Sequence, residues 1–214
     1  MIAVHSTYKR KRNRAVRERA LILAARRLFA SQGFEATKTR EIAALAGCAE
    51  GLIHRYFNSK SGLLLALIQH QISQEMIDLH KKLPVAPTLE AEIVQLVDWE
   101  VRRMWEDREF LKVTVPRALL DGRVGKLITK NSIARRSQAF RERLNSFKAH
   151  LPKHELDATA EFVSAMGFAF GFGRPVILRQ NMEDARRTAN VIAGIFARRF
   201  RQTTPAPNGR NGRN

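Results

Sequence analysis

From Leu21 to Phe196 the apolar residues recur at intervals of three and four and hardly anywhere at two, a spacing that restricts the chain to helices packed on helices. Leu21, Ala25, Leu28 and Phe29 form one stripe of a first helix expected over residues 14–32, closed at Gly33 where a left-handed cap fits. Leu64, Leu67, Ile68, Ile72, Met76 and Leu79 line a longer helix over 63–79, ended before Pro84 and Pro87. Thr88 is placed to cap the next, whose stripe is Ile93, Leu96, Val97, Val101, Met104 and Trp105. Pro116 implies a kink or break in a short helix near 109–121. Ile133, Phe140, Leu144, Phe147 and Leu151 then follow at helical spacing until Pro152. Residues 154–178 resume it, and Asn181 opens a last helix running to about residue 201.

One segment has another rhythm. Residues 167–173, Gly-Phe-Ala-Phe-Gly-Phe-Gly, alternate aromatic with small as a strand does. A lone strand would leave its backbone unpaired, so the segment is expected to be helical. Gly167 and Gly171 then fall one turn apart and admit a close neighbour, either within the subunit or across an interface.

The net charge is +18, and half of it lies in the first sixty residues, where thirteen basic residues face four acidic ones. Such a balance attracts polyanions, nucleic acid foremost. Residues 1–13 are expected to be a basic flexible arm that follows DNA or solubilises the chain, and residues 203–214 a disordered tail. Cys48 is the only cysteine, which excludes an intrachain disulfide and fits a reducing, cytoplasmic setting. It is expected to be a buried plug. No apolar region follows the basic residues of the N-terminus, and the run 162–173 is too short to span a bilayer. No membrane association is expected.

Residues 39–57 meet the demands of a two-helix unit that reads DNA: a first helix with a small apolar face, a sharp turn, and a second helix with one bare side. Ile42, Ala43 and Ala46 supply the face, Gly47 the turn, and Cys48, Ile53 and Phe57 the plug beneath the second helix. Glu50, Gly51, Leu52, His54, Arg55 and Tyr56 are left outside.

The run GFEATKTREIAALAGCAEGLIHRYFNSKSGLLLALI resembles the DNA-binding signature of the tetracycline-repressor-like (TetR) family, over about residues 14–68. The resemblance implies an all-α protein with a three-helix, helix-turn-helix DNA-binding domain over 14–60. A larger helical effector-binding and dimerisation domain would occupy 61–202. It also implies a ligand-responsive repressor that binds a palindromic operator in double-stranded DNA as a homodimer paired through about residues 154–202. A small-molecule effector would tilt the linking helix over 61–80. Some positions depart from the pattern. His54 replaces a tyrosine that touches phosphate, which makes DNA affinity pH-sensitive if the imidazole donates. Ala49 forgoes about 1 kcal/mol of capping. Lys38 stands where Ser or Thr caps, leaving Thr37 or Thr39 to substitute, and Gly62 weakens the start of the fourth helix.

Thr37, Thr39, Arg40 and Lys60 are expected at phosphates, and Lys38, Glu50, Gly51, Leu52 and Arg55 at bases. The effector pocket is expected among Trp99, Met104, Trp105, Phe110, Phe140, Phe147, Phe162, Met166 and Phe170, together with Phe168 and Phe172. These residues favour an apolar or aromatic effector, and no cofactor or metal is implied. Catalysis is not expected: His150 and His154 lack a third ligand, and there is neither a phosphate-cradling loop nor a nucleophile elbow. The competing reading is a non-specific, nucleoid-type or anionic-surface-binding polycation.

Overall fold

The computed structural model describes the backbone of residues 2–147 and 151–200, with the side chains of 2–12, 72, 75–78, 80, 131 and 132 left aside. The tail expected to be disordered and His150 lie outside the described residues. Among the described residues ten α-helices follow one another: α1 (Ile2–Gln32), α2 (Thr39–Leu45), α3 (Gly51–Phe57), α4 (Lys60–Lys82), α5 (Leu89–Glu106), α6 (Arg108–Leu120), α7 (Gly122–Leu127), α8 (Ala134–Asn145), α9 (Lys153–Phe168) and α10 (Met182–Ala197). Wider π-helical turns join α7 to α8 (Ile128–Ile133) and extend α9 (Ala169–Ile177). There is no strand among the described residues, so the all-α expectation holds and the 167–173 segment is helical.

The helix ends obey local chemistry. Gly33 takes φ +81° and donates to the Phe29 carbonyl at 2.9 Å, closing α1. Thr88 caps α5 by accepting from the Ala91 N–H, and Asn181 caps α10 by accepting from those of Glu183 and Asp184. The π-helical turn after α9 contains Pro175, whose missing N–H the wider hydrogen-bond register tolerates.

Two boundaries and the course of one helix bear on the sequence reading. Helix α1 starts at Ile2, not near residue 14, so the arm expected to be flexible has helical backbone. No Gly or Pro interrupts the first 32 residues, and Ala, Arg and Lys there favour helix. Of the kink or break expected at Pro116, the break does not occur, and α6 continues through that exposed residue. Helix α8 stops at Asn145, short of Phe147 and Leu151.

Two apolar cores result. The first holds Leu21, Ala25, Phe29, Ile42 and Ile53, and it is completed by Leu63, Leu64, Leu67 and Ile68 of α4 together with Phe110 of α6 and Val124 of α7. The DNA-binding unit therefore shares its core with helices from beyond residue 60. The second core joins α5, α8, α9 and α10. Ala185, Ala189, Ala193 and Ala197, all fully buried, form a stripe at every fourth position, so α10 lies close to its neighbours. Gly167 and Gly171 face α5: a Cβ on Gly167 would collide with the Glu100 side chain, and one on Gly171 with the Val101 carbonyl. Of the two readings of these glycines, packing within the subunit is the one observed.

Helix α5 also buries two carboxylates completely. Glu92 meets Arg143 at 2.6 Å and Glu100 meets Arg136 at 2.7 Å. Removing one partner of such a pair costs about 3–5 kcal/mol, because the other ion is stranded in a medium of low polarity.

Candidate nucleic-acid interface

Helices α2 and α3 are held at a fixed angle by the turn between them. Gly47 adopts φ +61° and its N–H bonds to the Ala44 carbonyl at 3.1 Å, while the Cys48 N–H reaches the Ala43 carbonyl at 2.9 Å. These two bonds make a Schellman cap, which requires a residue that tolerates positive φ. Ile53 is fully buried, with Cys48 and Phe57 packed against the same core. Asn58, at φ +65°, ends α3.

The outer side of this unit carries several of the expected contact residues together. Lys38, Arg40, Glu50, Gly51, His54 and Arg55 are exposed, and Leu52 and Tyr56 are half-buried against the core. The Lys38 N–H is satisfied by the Glu41 carboxylate at 2.9 Å, which supplies the start of α2 in place of a capping hydroxyl. Thr39 donates to the Glu50 carboxylate at 2.5 Å, tying the start of α2 to the start of α3. Arg14 of α1 places its guanidinium 5.1 Å from the centre of the Tyr56 ring and pairs with Glu18. The sequence reading treated Arg14 only as one charge among many.

Two expected phosphate contacts sit elsewhere. Thr37 is 1% exposed and its hydroxyl donates to the Gly33 carbonyl at 2.6 Å, so it neither caps α2 nor faces outward. Lys60 directs its ammonium inward, to the carbonyls of Phe34 (2.8 Å), Glu35 (3.2 Å) and Thr37 (3.0 Å), which uses all three of its protons. The same ammonium lies 4.6 Å from the centre of the Phe34 ring, and Arg117 of α6 lies 4.9 Å from it. Lys60 is thus a staple for the α1–α2 loop. Gly62 has its own reason to be glycine, since a Cβ there would overlap the Phe57 carbonyl.

A cavity of about 330 Å³ lies between α4, α5, α6, α8 and α9. Of the aromatic and methionine residues expected in an effector pocket, Met104, Phe110 and Phe168 line it. Most of the others fill the second core or its margins. Trp99 meets Phe140 edge-on at 6.4 Å, Phe162 stacks on Phe196 at 4.2 Å, and Met166, Phe170 and Phe172 are buried. Phe147 packs at the edge of that core, and Trp105 lies beneath the Arg108 guanidinium at 4.1 Å. Periodicity marks a residue as inward-facing, but packed core and cavity wall are equally inward. The polar lining of the cavity, Gln71, Arg103, Asp107, Thr114, Arg136, Glu161 and Ser164, was not anticipated.

A capped two-helix unit with one bare, polar side, set on a larger helical body, defines a helix-turn-helix protein. Residues 21–67 match the family model described as bacterial regulatory proteins, tetR family. That stretch carries the DNA-binding region of the family, over about a fifth of the chain. The chain is 35% identical over 82 residues to the HTH-type transcriptional regulator BetI of Rhizobium meliloti (strain 1021), a match covering 38% of this chain and 40% of that relative's length. The whole fold resembles a TetR transcription regulator from Haloarcula marismortui, with TM-score 0.68 and 16% identity over 86% of this chain and 97% of that one. It likewise resembles Salmonella enterica GusR, with TM-score 0.66 and 17% identity over 85% and 93% of the respective chains. No described helix is long and apolar enough to cross a membrane.

Proposed function

We propose that the chain is a sequence-specific, DNA-binding transcriptional regulator that acts as a cytoplasmic homodimer on a palindromic operator and responds to a small molecule, as a repressor. One observation carries this reading. The exposed row Gly51, His54 and Arg55 sits on a helix whose opposite side is locked by Ile53 and whose entry is fixed by the Gly47 turn. A rigid helix with its backbone low at Gly51 fits the major groove, where Arg55 brackets a guanine and His54 and Arg40 engage phosphates. Glu50, held by Thr39, is placed to accept from cytosine, and Leu52 to meet a thymine methyl.

Pairing through α9 and α10 is supported by Val191 and Ile195, four residues apart on α10 and more than half exposed. Two copies so joined would present two α3 helices to the half-sites of one operator. The cavity beneath α6 is the effector site in this account, and Met104, Phe110 and Phe168 give it an apolar wall.

The net charge of +18 favours a second reading, a non-specific polycation. Both would lose affinity steeply with salt, so the discriminating quantity is the ratio of affinities at one salt concentration. A regulator binds one palindrome at least ~10³-fold tighter than random duplex, whereas a polycation shows a ratio near one.

A further inference from the structure

We propose that the cavity takes an uncharged, mainly apolar molecule bearing one hydroxyl, and that this hydroxyl donates to the Asp107 carboxylate in place of Gln71. The inference rests on the ligand-responsive reading above and adds the chemistry of the ligand to it.

The wall is apolar along α6, where Phe110, Leu111 and Val115 face the space, and a volume of about 330 Å³ limits the occupant to the small end of ligand pockets. Its buried ionised groups are already matched, and Glu161, which also lines it, is exposed to solvent and accepts from the Ser137 hydroxyl at 3.0 Å. Arg136 pairs with Glu100 at 2.7 Å and Arg103 with Asp107 at 3.3 Å, and these four side chains are mostly or wholly buried. An anionic ligand would be drawn to the guanidinium groups but must come up against Glu100 and Asp107. A cationic one meets the converse arrangement. In the buried part of the cavity either has to open such an ion pair and leave an ion facing a medium of low polarity, which opposes binding more strongly than the solvent-screened Glu161 carboxylate at the exposed side favours a cation.

Asp107 shows where a neutral donor fits. Its carboxylate accepts from Arg26 of α1 at 3.0 Å and from the Gln71 amide of α4 at 3.0 and 3.1 Å, and both Gln71 and Asp107 line the cavity. The amide is an uncharged donor among the cationic ones. A ligand hydroxyl replaces the amide's two contacts with one while conserving every charged contact at the carboxylate, and Gln71 is then released from the α5–α6 junction. Because α4 follows directly on α3, that release is felt at the DNA-binding unit.

Three probes with one skeleton, 4-phenylbutan-1-ol, 4-phenylbutyrate and 4-phenylbutylamine, titrated calorimetrically into the full chain at neutral pH, test the proposal. The alcohol is expected to bind at least about tenfold tighter than either charged analogue and to slow amide exchange across residues 110–115 of the wild-type chain. Ser164→Trp, which fills the cavity, is expected to abolish that binding. Tighter binding of the carboxylate or the amine, alcohol binding that survives Ser164→Trp, or no protection at 110–115 from any probe would overturn it. The exchange measurement on the wild type decides the matter even where Ser164→Trp does not fold. Since none of these readouts involves DNA, failure here leaves the DNA-binding reading standing, and failure to select a DNA site leaves the probe result standing.

Discussion

The carboxylate of Asp107, at the junction of α5 and α6, accepts a hydrogen bond at 3.0 Å from the guanidinium of Arg26, which lies 81 positions earlier on α1. The carboxylate is 6% exposed and Arg26 is 44% exposed, so the two ends of this contact are not energetically equivalent. Asp107→Ala also takes an anion from the largely enclosed Arg103, 14% exposed, and an acceptor from Gln71. It is expected to cost about 3 kcal/mol, lowering Tm by roughly 6–12 °C in a chain of this size. Arg26→Ala, removing a partner in contact with water, is expected to cost about 1 kcal/mol or less. Thermal unfolding of the two variants checks the asymmetry; equal losses would contradict it.

Lys60 and Arg40 separate stability from DNA contact. Lys60→Met leaves three carbonyls of the α1–α2 loop without their donor and is expected to destabilise the chain by about 2–3 kcal/mol. Arg40→Ala is expected to change stability by no more than about 0.5 kcal/mol while weakening DNA binding and its dependence on salt. Unfolding curves and affinities measured over a series of salt concentrations distinguish the two roles. A Lys60→Met protein of unchanged Tm would return Lys60 to the phosphate-contacting set.

At Gly62 helix propensity and packing predict opposite signs. Propensity alone gives Gly62→Ala a gain of up to about 1 kcal/mol inside α4. The Phe57 carbonyl occupies the space a Cβ needs, and backbone cannot swing aside as a flexible side chain does. Gly62→Ala is therefore expected to lower Tm, and a rise would show that the α3–α4 corner relaxes easily.

That glycine illustrates what the sequence discloses and what it withholds. Features set by neighbouring residues were legible: the helical stripes, the caps at Gly33, Thr88 and Asn181, and the turn at Gly47 all depend on chemistry within a few positions. Features set across the fold were not. Lys60 finds its carbonyls 23 to 26 residues away, and Glu92 and Glu100 find their arginines at distances of 51 and 36. The exposed row on α3 was readable because a bare face shows as a gap in the apolar pattern. The cavity wall was not, since an aromatic residue lining a space carries the same signature as one filling the core.

His70 of α4 gives a dependence on pH. Its partial burial, and then the charges of Arg19 and Arg26 on α1, hold its pKa below the ordinary value of 6.5. The unfolded chain therefore binds a proton near pH 6.5 that the folded chain takes up only at lower pH. Between those two points the unfolded state carries more protons, so stability declines as pH falls through the window and levels off below it. His70→Gln is expected to flatten this portion of a plot of Tm against pH. An unaltered slope would assign the dependence to other groups.

Selection of binding sites from a random DNA pool, run in parallel on the wild-type chain and on a variant carrying Arg40→Ala, His54→Ala and Arg55→Ala, bears most directly on the central claim. The account predicts that the wild type enriches one palindrome, held at least ~10³-fold above random duplex, and that the folded variant enriches nothing. A wild-type pool without a common sequence, or the same palindrome returned by the variant, would contradict the assignment of DNA reading to the outer face of α3.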